Sequence, residues 1–147
     1  MKYSKATNYA LHTMVYLSLM PKGKLVGVEQ LAKIQDLSPT YLSKILTKLV
    51  KAGLIESTPG VNGGYSIVKH SREISFLDVI QAIEGKTSLF SCSREHEDAK
   101  NGVCLIENVM MEAERNMADE LANKYIMDIA AKLEKTKKGK TVVTDLK

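Results

Sequence analysis

The sequence predicts a mainly α fold with a small β-hairpin wing: a winged helix-turn-helix followed by a long C-terminal dimerisation helix. Three observations predict it. Apolar residues recur at helical spacing in three segments of the first 52 residues. Two short strand-forming runs with a glycine-rich segment between them come next. An apolar seam then runs through residues 103–124.

The first two helices are predicted from periodicity and from their stop signals. Residues 4–20 place apolar and small side chains at every third or fourth position. Pro21 and Gly23 are expected to end this helix. A second, short helix fits residues 28–34.

The third helix carries the clearest start signal. Ser38 has a hydroxyl that favours the N-cap position, and Pro39 suits the first helical position because its missing N–H needs no partner there. The helix is expected to run to about Ala52, with Gly53 as a left-handed stop.

This third helix has two distinct faces. Its apolar stripe consists of Leu42, Ile45, Leu46 and Leu49. The opposite face carries hydroxyls and lysines and no carboxylate, namely Thr40, Tyr41, Ser43, Lys44, Thr47, Lys48 and Lys51. A solvated surface helix normally mixes charges of both signs, whereas the major groove of DNA and its phosphates favour this composition. We therefore predict a recognition helix, with a merely solvated face as the alternative.

The strands are expected at residues 54–57 and 65–68. The intervening segment, 58–64, is rich in residues that tolerate positive φ. Such a hairpin tip lets backbone N–H groups approach a phosphate or a narrow groove, although a tight hairpin alone would also explain it. The order helix, helix, strand, strand is that of a winged helix.

The second half is predicted to be helical around one loop. Ser75 and Asp78 resemble a capping box at the start of a fourth helix that ends near Gly85. A long helix follows over residues 103–124, with a last one near 126–133. The expected dimerisation seam of the long helix consists of Ile106, Met110, Ala113, Met117 and Leu121.

Four regions follow from these elements. Residues 1–85 form the predicted DNA-binding domain, and 86–101 form a polar loop that we interpret as a sensor loop. Residues 102–133 form the dimerisation helices, and 134–147 form a basic tail that is expected to be disordered.

Charge separates these regions. Residues 1–72 carry ten Lys or Arg against three Asp or Glu, and residues 73–130 carry five against twelve. A basic first half suits a polyanion, and an acidic second half should avoid one. Because solvated charged surfaces are common, the third helix rather than the net charge selects DNA as the partner.

The motifs resemble those of the Rrf2 family of bacterial winged-helix regulators over about residues 1–133. The family includes an iron–sulfur cluster regulator, a nitric-oxide sensor and a cysteine-metabolism repressor. Each motif is weak alone, and together they are specific. They are Tyr9-Ala10-Leu11, Ser38-x-x-Tyr41-Leu42, Leu49-x-x-Ala52-Gly53-Leu54-Ile55, Gly60-x-x-Gly63-Gly64-Tyr65 and Ile74-x-x-x-Asp78-Val79-Ile80-x-Ala82-Ile83-Glu84-Gly85.

The resemblance implies a homodimeric regulator, which we expect to be a repressor, on a roughly palindromic DNA operator. The family's DNA contacts would fall on Ser38, Thr40, Tyr41, Ser43 and Lys44, to which the polar face adds Lys48. The wing contacts would come from Gly60, Asn62, Gly63 and Gly64. Many members carry an Arg before the first wing glycine, and this chain has Pro59 there, which leaves Asn62 as the candidate for reading the minor groove.

Some family members hold an iron–sulfur cluster through three cysteines in the loop before the long helix. This chain has only Cys92 and Cys104, with His96 between them. A cluster would need an irregular ligand set completed by a residue such as Glu107 or Asn8. The cysteine and histidine spacing also matches no standard zinc finger. We therefore expect no cofactor and no metal, with a regulator that depends on an iron–sulfur cluster held by this irregular ligand set as the alternative.

A third interpretation is thiol-based redox sensing through Cys104 and Cys92. Cys104 is expected at the start of the long helix, where the helix dipole favours a negative charge. Oxidation, alkylation or a bridge to Cys92 would then shift that helix. The alternative is that Cys104 is a small buried hydrophobe and Cys92 an idle loop residue.

Two other function classes fit less well. A protein-interaction module would not need a basic recognition face without carboxylates. A thiol enzyme would need a nucleophile, a base and an orienting group together, which the sequence does not show, so we expect no enzyme. No apolar run is long enough to span a membrane, and the N-terminus lacks a cleavage site, which favours a cytoplasmic protein.

Overall fold

The computed structural model describes residues 3–86, 88–90 and 104–137. Within these residues the chain forms helices around one two-stranded hairpin, which confirms the predicted fold class. The elements are α1 (Lys5–Leu19), α2 (Val28–Gln35), α3 (Pro39–Lys51), β1 (Ile55–Thr58), β2 (Gly64–Ile67), a 3₁₀ turn (Ser71–Glu73), α4 (Phe76–Glu84), α5 (Leu105–Ala122) and α6 (Ile126–Lys137).

Side-chain caps set where these helices begin. The Ser4 hydroxyl accepts the N–H of Thr7 at the start of α1. At α4 the Ser75 hydroxyl accepts the N–H of Asp78, and the Asp78 carboxylate accepts the N–H of Ser75, each over 3.0 Å. This reciprocal pair is the predicted capping box, and it satisfies amide groups that a helix N-terminus leaves without partners.

One aliphatic core joins the first half of the chain to α4 and α6. α1 lies at its centre and packs against both of these helices. The apolar stripe of α3 is buried, as predicted. Burying each such side chain contributes roughly 1.5–3 kcal/mol. The fully enclosed side chains include Met14, Val26, Leu31, Leu42, Leu46, Leu49, Val79 and Ile126.

The long helix α5 contributes nothing to this core. None of its residues is buried, although α5 contacts α4. In the predicted seam, Ile106 and Ala113 are exposed, and Met110, Met117 and Leu121 are half-buried. No helix within the described ranges is long and apolar enough to cross a membrane.

The structure corrects the boundary between the last helix and the tail. α6 continues to Lys137, so residues 134–137 are helical rather than part of a disordered tail. Residues 126–138 contain no Gly or Pro that would end the helix. In its last turns the Thr136 hydroxyl donates to the carbonyl of Lys132. Residues 91–103, including Cys92 and His96, and residues 138–147 lie outside the described part of the chain.

Candidate nucleic-acid interface

The turn between α2 and α3 is built from two adjacent local devices. Asp36 takes a left-handed conformation, φ 54° and ψ 49°, and so ends α2. The N–H of Leu37 then donates to the carbonyl of Ala32 over 2.9 Å. The Ser38 hydroxyl accepts the N–H of Tyr41 over 3.2 Å, and Pro39 follows at the first helical position. Ser38 therefore lies at the exposed N-terminus of α3.

The predicted recognition residues share one face of α3. Thr40, Tyr41, Lys44 and Lys48 are exposed, and Ser43 is half-buried. The opposite stripe is buried in the core, so this face points away from the protein. α3 contains no carboxylate. The exposed face of α3 is therefore cationic and rich in hydroxyls, and the buried apolar stripe on the opposite side fixes the helix to the core.

Tyr41 has a neighbour that the sequence analysis missed. Its ring meets the ring of Tyr9 on α1 edge to face, with centroids 6.0 Å apart. Such aromatic pairs are worth about 0.5–1.5 kcal/mol beyond burial. Tyr9 therefore orients the exposed Tyr41 ring on the polar face of α3.

The wing is a tight hairpin with Ile55 opposite Ile67 and Thr58 opposite Gly64. At its tip the N–H of Gly63 donates to the carbonyl of Gly60 over 3.0 Å, and Gly60 has φ 107°. A Cβ on Gly63 would collide with the carbonyl oxygen of Thr58. The tip thus needs both glycines, and it leaves Asn62 exposed.

Gly64 lies in β2 rather than at the tip. It has φ 152°, and a Cβ there would come within 2.8 Å of the Val26 backbone. Next to it, Tyr65 and Val26 exchange two backbone hydrogen bonds of 2.8 and 3.0 Å. The segment before α2 is therefore tied to the wing, and only glycine permits this approach.

The polar face and the wing border the same end of α2. Val28 lines a shallow depression together with Thr40, Ser43 and Lys44 of α3. It also lines a second depression with wing residues 57–61 and 63–65. Because Val28 lines both depressions, the polar face of α3 and the wing lie on one side of the molecule.

A carboxylate at the end of α4 holds the start of α1. Glu84 accepts hydrogen bonds from the Thr7 hydroxyl, the Ser4 N–H and the Ser4 hydroxyl, over 2.6, 2.7 and 3.0 Å. The Thr7 hydrogen bond above all, then those of Ser4 and the charge of Lys48, lower the pKa of this carboxyl, which partial burial opposes. The sequence did carry a signal for such a contact. A carboxylate in the last turn of a helix is destabilised by the helix dipole, so its presence there suggests that other groups bind it.

Replacing Glu84 with Gln should remove an acid-sensitive part of the stability. The pKa of Glu84 lies below its ordinary value of 4.5 in the folded chain. Its contribution is therefore present above that value and is lost as the pH falls through the folded pKa. We expect the free energy of unfolding, measured by urea titration, to differ between wild type and variant at neutral pH and to converge below pH 4.5. A difference that stays constant with pH would contradict this, and Glu112→Gln on the exposed side of α5 is the control.

Cys104 caps the long helix. Its sulfur accepts the N–H of Glu107 over 3.4 Å at the start of α5, and the side chain is buried. The predicted position at the helix N-terminus is thus confirmed, and its predicted partner Cys92 lies outside the described residues.

The thiolates of this chain are too few for a regular iron–sulfur cluster. The whole sequence holds two cysteines, whereas clusters are normally held by three or four thiolates. The sulfur of Cys104 is engaged as a helix cap. Among the described residues no group of three His, Cys, Asp or Glu side chains could hold a metal ion.

Comparisons with known proteins agree with this arrangement. A profile of the Rrf2 family, described as "Iron-dependent Transcriptional regulator", matches residues 3–132. The putative HTH-type transcriptional regulator YffB of Lactococcus lactis subsp. lactis (strain IL1403) is 33% identical over 136 residues, which cover 88% of this chain and 87% of YffB. The HTH-type transcriptional regulator NsrR of Halalkalibacterium halodurans is 36% identical over 115 residues, which cover 77% of this chain and 79% of NsrR.

Solved structures share the fold. The oxidized form of Staphylococcus aureus CymR matches with a TM-score of 0.71 and 27% identity, covering 88% of this chain and 96% of CymR. IscR of T. potens matches with a TM-score of 0.73 and 22% identity over 98% of this chain and 96% of IscR, which supports the fold alone. The family profile spans most of the chain, and relatives above 30% identity do so as well. The protein therefore belongs to the Rrf2 family of transcriptional regulators.

Proposed function

We propose that this protein is a homodimeric transcriptional repressor that binds a roughly palindromic DNA operator. The observation that carries the proposal is the exposed face of α3, which holds hydroxyls and lysines and no carboxylate. Its residues Ser38, Thr40, Tyr41, Ser43 and Lys44 contact base edges and nearby phosphates in the major groove. A two-fold axis relating two recognition helices explains the palindrome. Repression is the sign of regulation that we propose, since a protein bound to an operator that overlaps a promoter would exclude polymerase.

The wing supplies a second contact in this proposal. Its tip exposes the side chain of Asn62, and the exposed Gly60 has no side chain that would keep a phosphate from the backbone. With Pro59 in the place of the arginine that many relatives carry, Asn62 is the wing side chain assigned to the minor groove.

Lys44 and Lys48 test this assignment. Replacing both with Gln should weaken binding to operator DNA and lower the slope of log affinity against log salt by about 1.8, since each phosphate contact releases counterions with a slope of about 0.9. The measurement is fluorescence anisotropy of labelled DNA from upstream of the protein's own gene, at several salt concentrations. Lys33→Gln is the matched control, because Lys33 is exposed on α2 and outside the polar face of α3.

The outcome decides between DNA and protein as the partner. An unchanged salt slope in the double variant would contradict the assigned phosphate contacts. If the wild type binds no DNA from this region at low salt, the protein-interaction alternative gains over the DNA-binding proposal.

We also propose that Cys104 makes DNA binding sensitive to oxidants. Its sulfur lies at the N-terminus of α5, the helix proposed to form the dimer, where the helix dipole favours an anion. Hydrogen peroxide would transfer one oxygen atom to the thiolate, giving a sulfenic acid and hydroxide. The added oxygen must displace the packing around a buried side chain and so move the start of α5.

A Cys104→Ser variant should keep its operator affinity in peroxide. Wild-type protein is expected to lose most of its affinity on oxidation and to regain it with a thiol reductant, as measured by the same anisotropy titration. Cys92→Ser is the control that separates sulfenic acid formation from a Cys92–Cys104 disulfide. Wild-type binding that is indifferent to peroxide would remove the thiol switch and leave the DNA-binding proposal standing.

A further inference from the structure

A second candidate site lies on the far side of the hairpin. A cavity of about 610 Å³ opens between the end of α1, the base of the hairpin and the start of α6. This volume falls within the roughly 300–1,000 Å³ of small-molecule sites. Its apolar lining comes from α1, β2, α6 and the connections that follow α1 and β2, with Leu17, Met20, Ile67, Val68 and Met127 as the contributors.

The rim of this cavity is cationic. Lys22 and Lys24 come from the connection after α1, and Lys69 and Arg72 come from the segment after β2. No ion pair of these four side chains occurs within residues 3–86, 88–90 and 104–137. Two carboxylates, Glu56 and Glu73, also reach the rim, so cations remain in excess. A concave apolar surface under such a rim concentrates the field and favours an anion.

The DNA-binding proposal does not account for these cations. None of the residues lining the cavity belongs to α3 or to the wing tip. The residues around the two depressions at α2 form a separate set. The hairpin runs from its tip near Gly60 to its base at Ile55 and Ile67, and the cavity lies at the base.

We propose that this cavity binds a small soluble anion with an apolar body, that is, a carboxylate or phosphate headgroup on a hydrocarbon chain. Lys69 and Arg72 hold the headgroup, since a guanidinium matches two anionic oxygens at once and a lysine adds a point charge. The hydrocarbon chain lies on Met20 and Met127, whose flexible thioethers adapt to irregular apolar ligands. A ligand there touches β2 and α6 together.

Decyl phosphate is the probe that tests the proposed anion site. Its binding to the full chain, without DNA, is measured by isothermal titration calorimetry below the concentration at which the probe forms micelles. We expect saturable binding at one site per chain. The double variant K69Q/R72Q should bind about tenfold or more weakly, as expected for the loss of charge-assisted hydrogen bonds. K132Q, which removes an exposed lysine of α6 outside the cavity, should bind like the wild type.

Further experiments distinguish a small apolar anion from a cation and from a membrane surface as the ligand of this cavity. Decyltrimethylammonium, with the same chain and the opposite charge, should not bind, and phosphatidylglycerol vesicles should not sediment with the protein. A second variant, M127Q, should weaken decyl phosphate while leaving inorganic phosphate unaffected. Circular dichroism and the thermal midpoint confirm that each variant is folded.

Four results would overturn the proposal. They are no binding of decyl phosphate, equal binding by K69Q/R72Q, equal binding of the cationic probe, and binding to vesicles in place of the monomeric anion. If the second of these results came with a loss of operator affinity in K69Q/R72Q, these cations would be assigned to DNA. Because the titration contains no DNA, its failure is distinct from failure of the repressor proposal.

Discussion

Replacing Ile106 with Asp should convert the protein from a dimer to a monomer at micromolar concentration. α5 buries no side chain within its own chain, and its first turns expose Leu105, Ile106 and Val109 by 79%, 68% and 66%. Packing this face on a second copy would remove apolar surface from water at about 25 cal/mol per Å². In a two-fold interface each substitution occurs twice. The dissociation constant should rise roughly a hundredfold or more, since an unpaired buried charge costs several kcal/mol.

Sedimentation equilibrium over a range of concentrations measures this effect. Asn108→Asp is the matched control, because it places a carboxylate at an exposed position on the side of the same helix opposite the predicted seam. A wild-type protein that is monomeric throughout would contradict the homodimer proposal. An Ile106→Asp protein that remains dimeric would place the interface on another surface.

A Gly64→Ala variant should lose both stability and DNA affinity. The new Cβ would lie 2.8 Å from the Val26 carbonyl group, and the backbone at φ 152° disfavours any side chain. Either the strand pairing of Tyr65 with Val26 must open or the hairpin must shift. Overpacking and backbone strain of this kind cost about 1–3 kcal/mol each. Because Val26 precedes α2, the displaced wing would no longer lie beside the recognition helix as it does in the wild type.

Urea denaturation and the operator titration together measure these two losses. Gly27→Ala is the control at a neighbouring glycine, which has φ −76° and open space around its Cβ position. Because Gly27 is the N-cap of α2, where glycine is preferred to alanine, this control should lower the free energy of unfolding by no more than about 1 kcal/mol, well below the loss expected at Gly64. Equal stability of the two variants would show that the close approach of Gly64 to Val26 does not constrain the fold.

The sequence analysis predicted those features that depend on neighbours in the chain. The predicted start of α3 was correct because Ser38 caps, and Pro39 begins, the turn of helix that directly follows them. The predicted assignment of residues to the two faces of α3 was correct because helical spacing alone decides which side chains lie on the same side. The extent of α6 was missed, because tail composition predicted disorder where helix-forming residues continue the last turns.

The contacts that hold the candidate site in place could not be predicted in the same way. Tyr9 and Tyr41 meet only because α1 crosses α3, and Glu84 reaches Ser4 and Thr7 only because α4 ends beside the start of α1. The periodicity of each helix shows which face is buried but not which helix covers it.

The sequence by itself therefore determined the helix-turn-helix, the wing with its glycines, the composition of the recognition face and the family motifs. Each depends on backbone dihedrals or on side-chain period, which act within a few residues. Only the tertiary structure decided that wing and recognition helix flank Val28, that Gly64 must remain glycine against Val26, and that the cations after α1 and β2 surround one cavity. These depend on packing between segments distant in the chain, where shape complementarity rather than local propensity selects the arrangement.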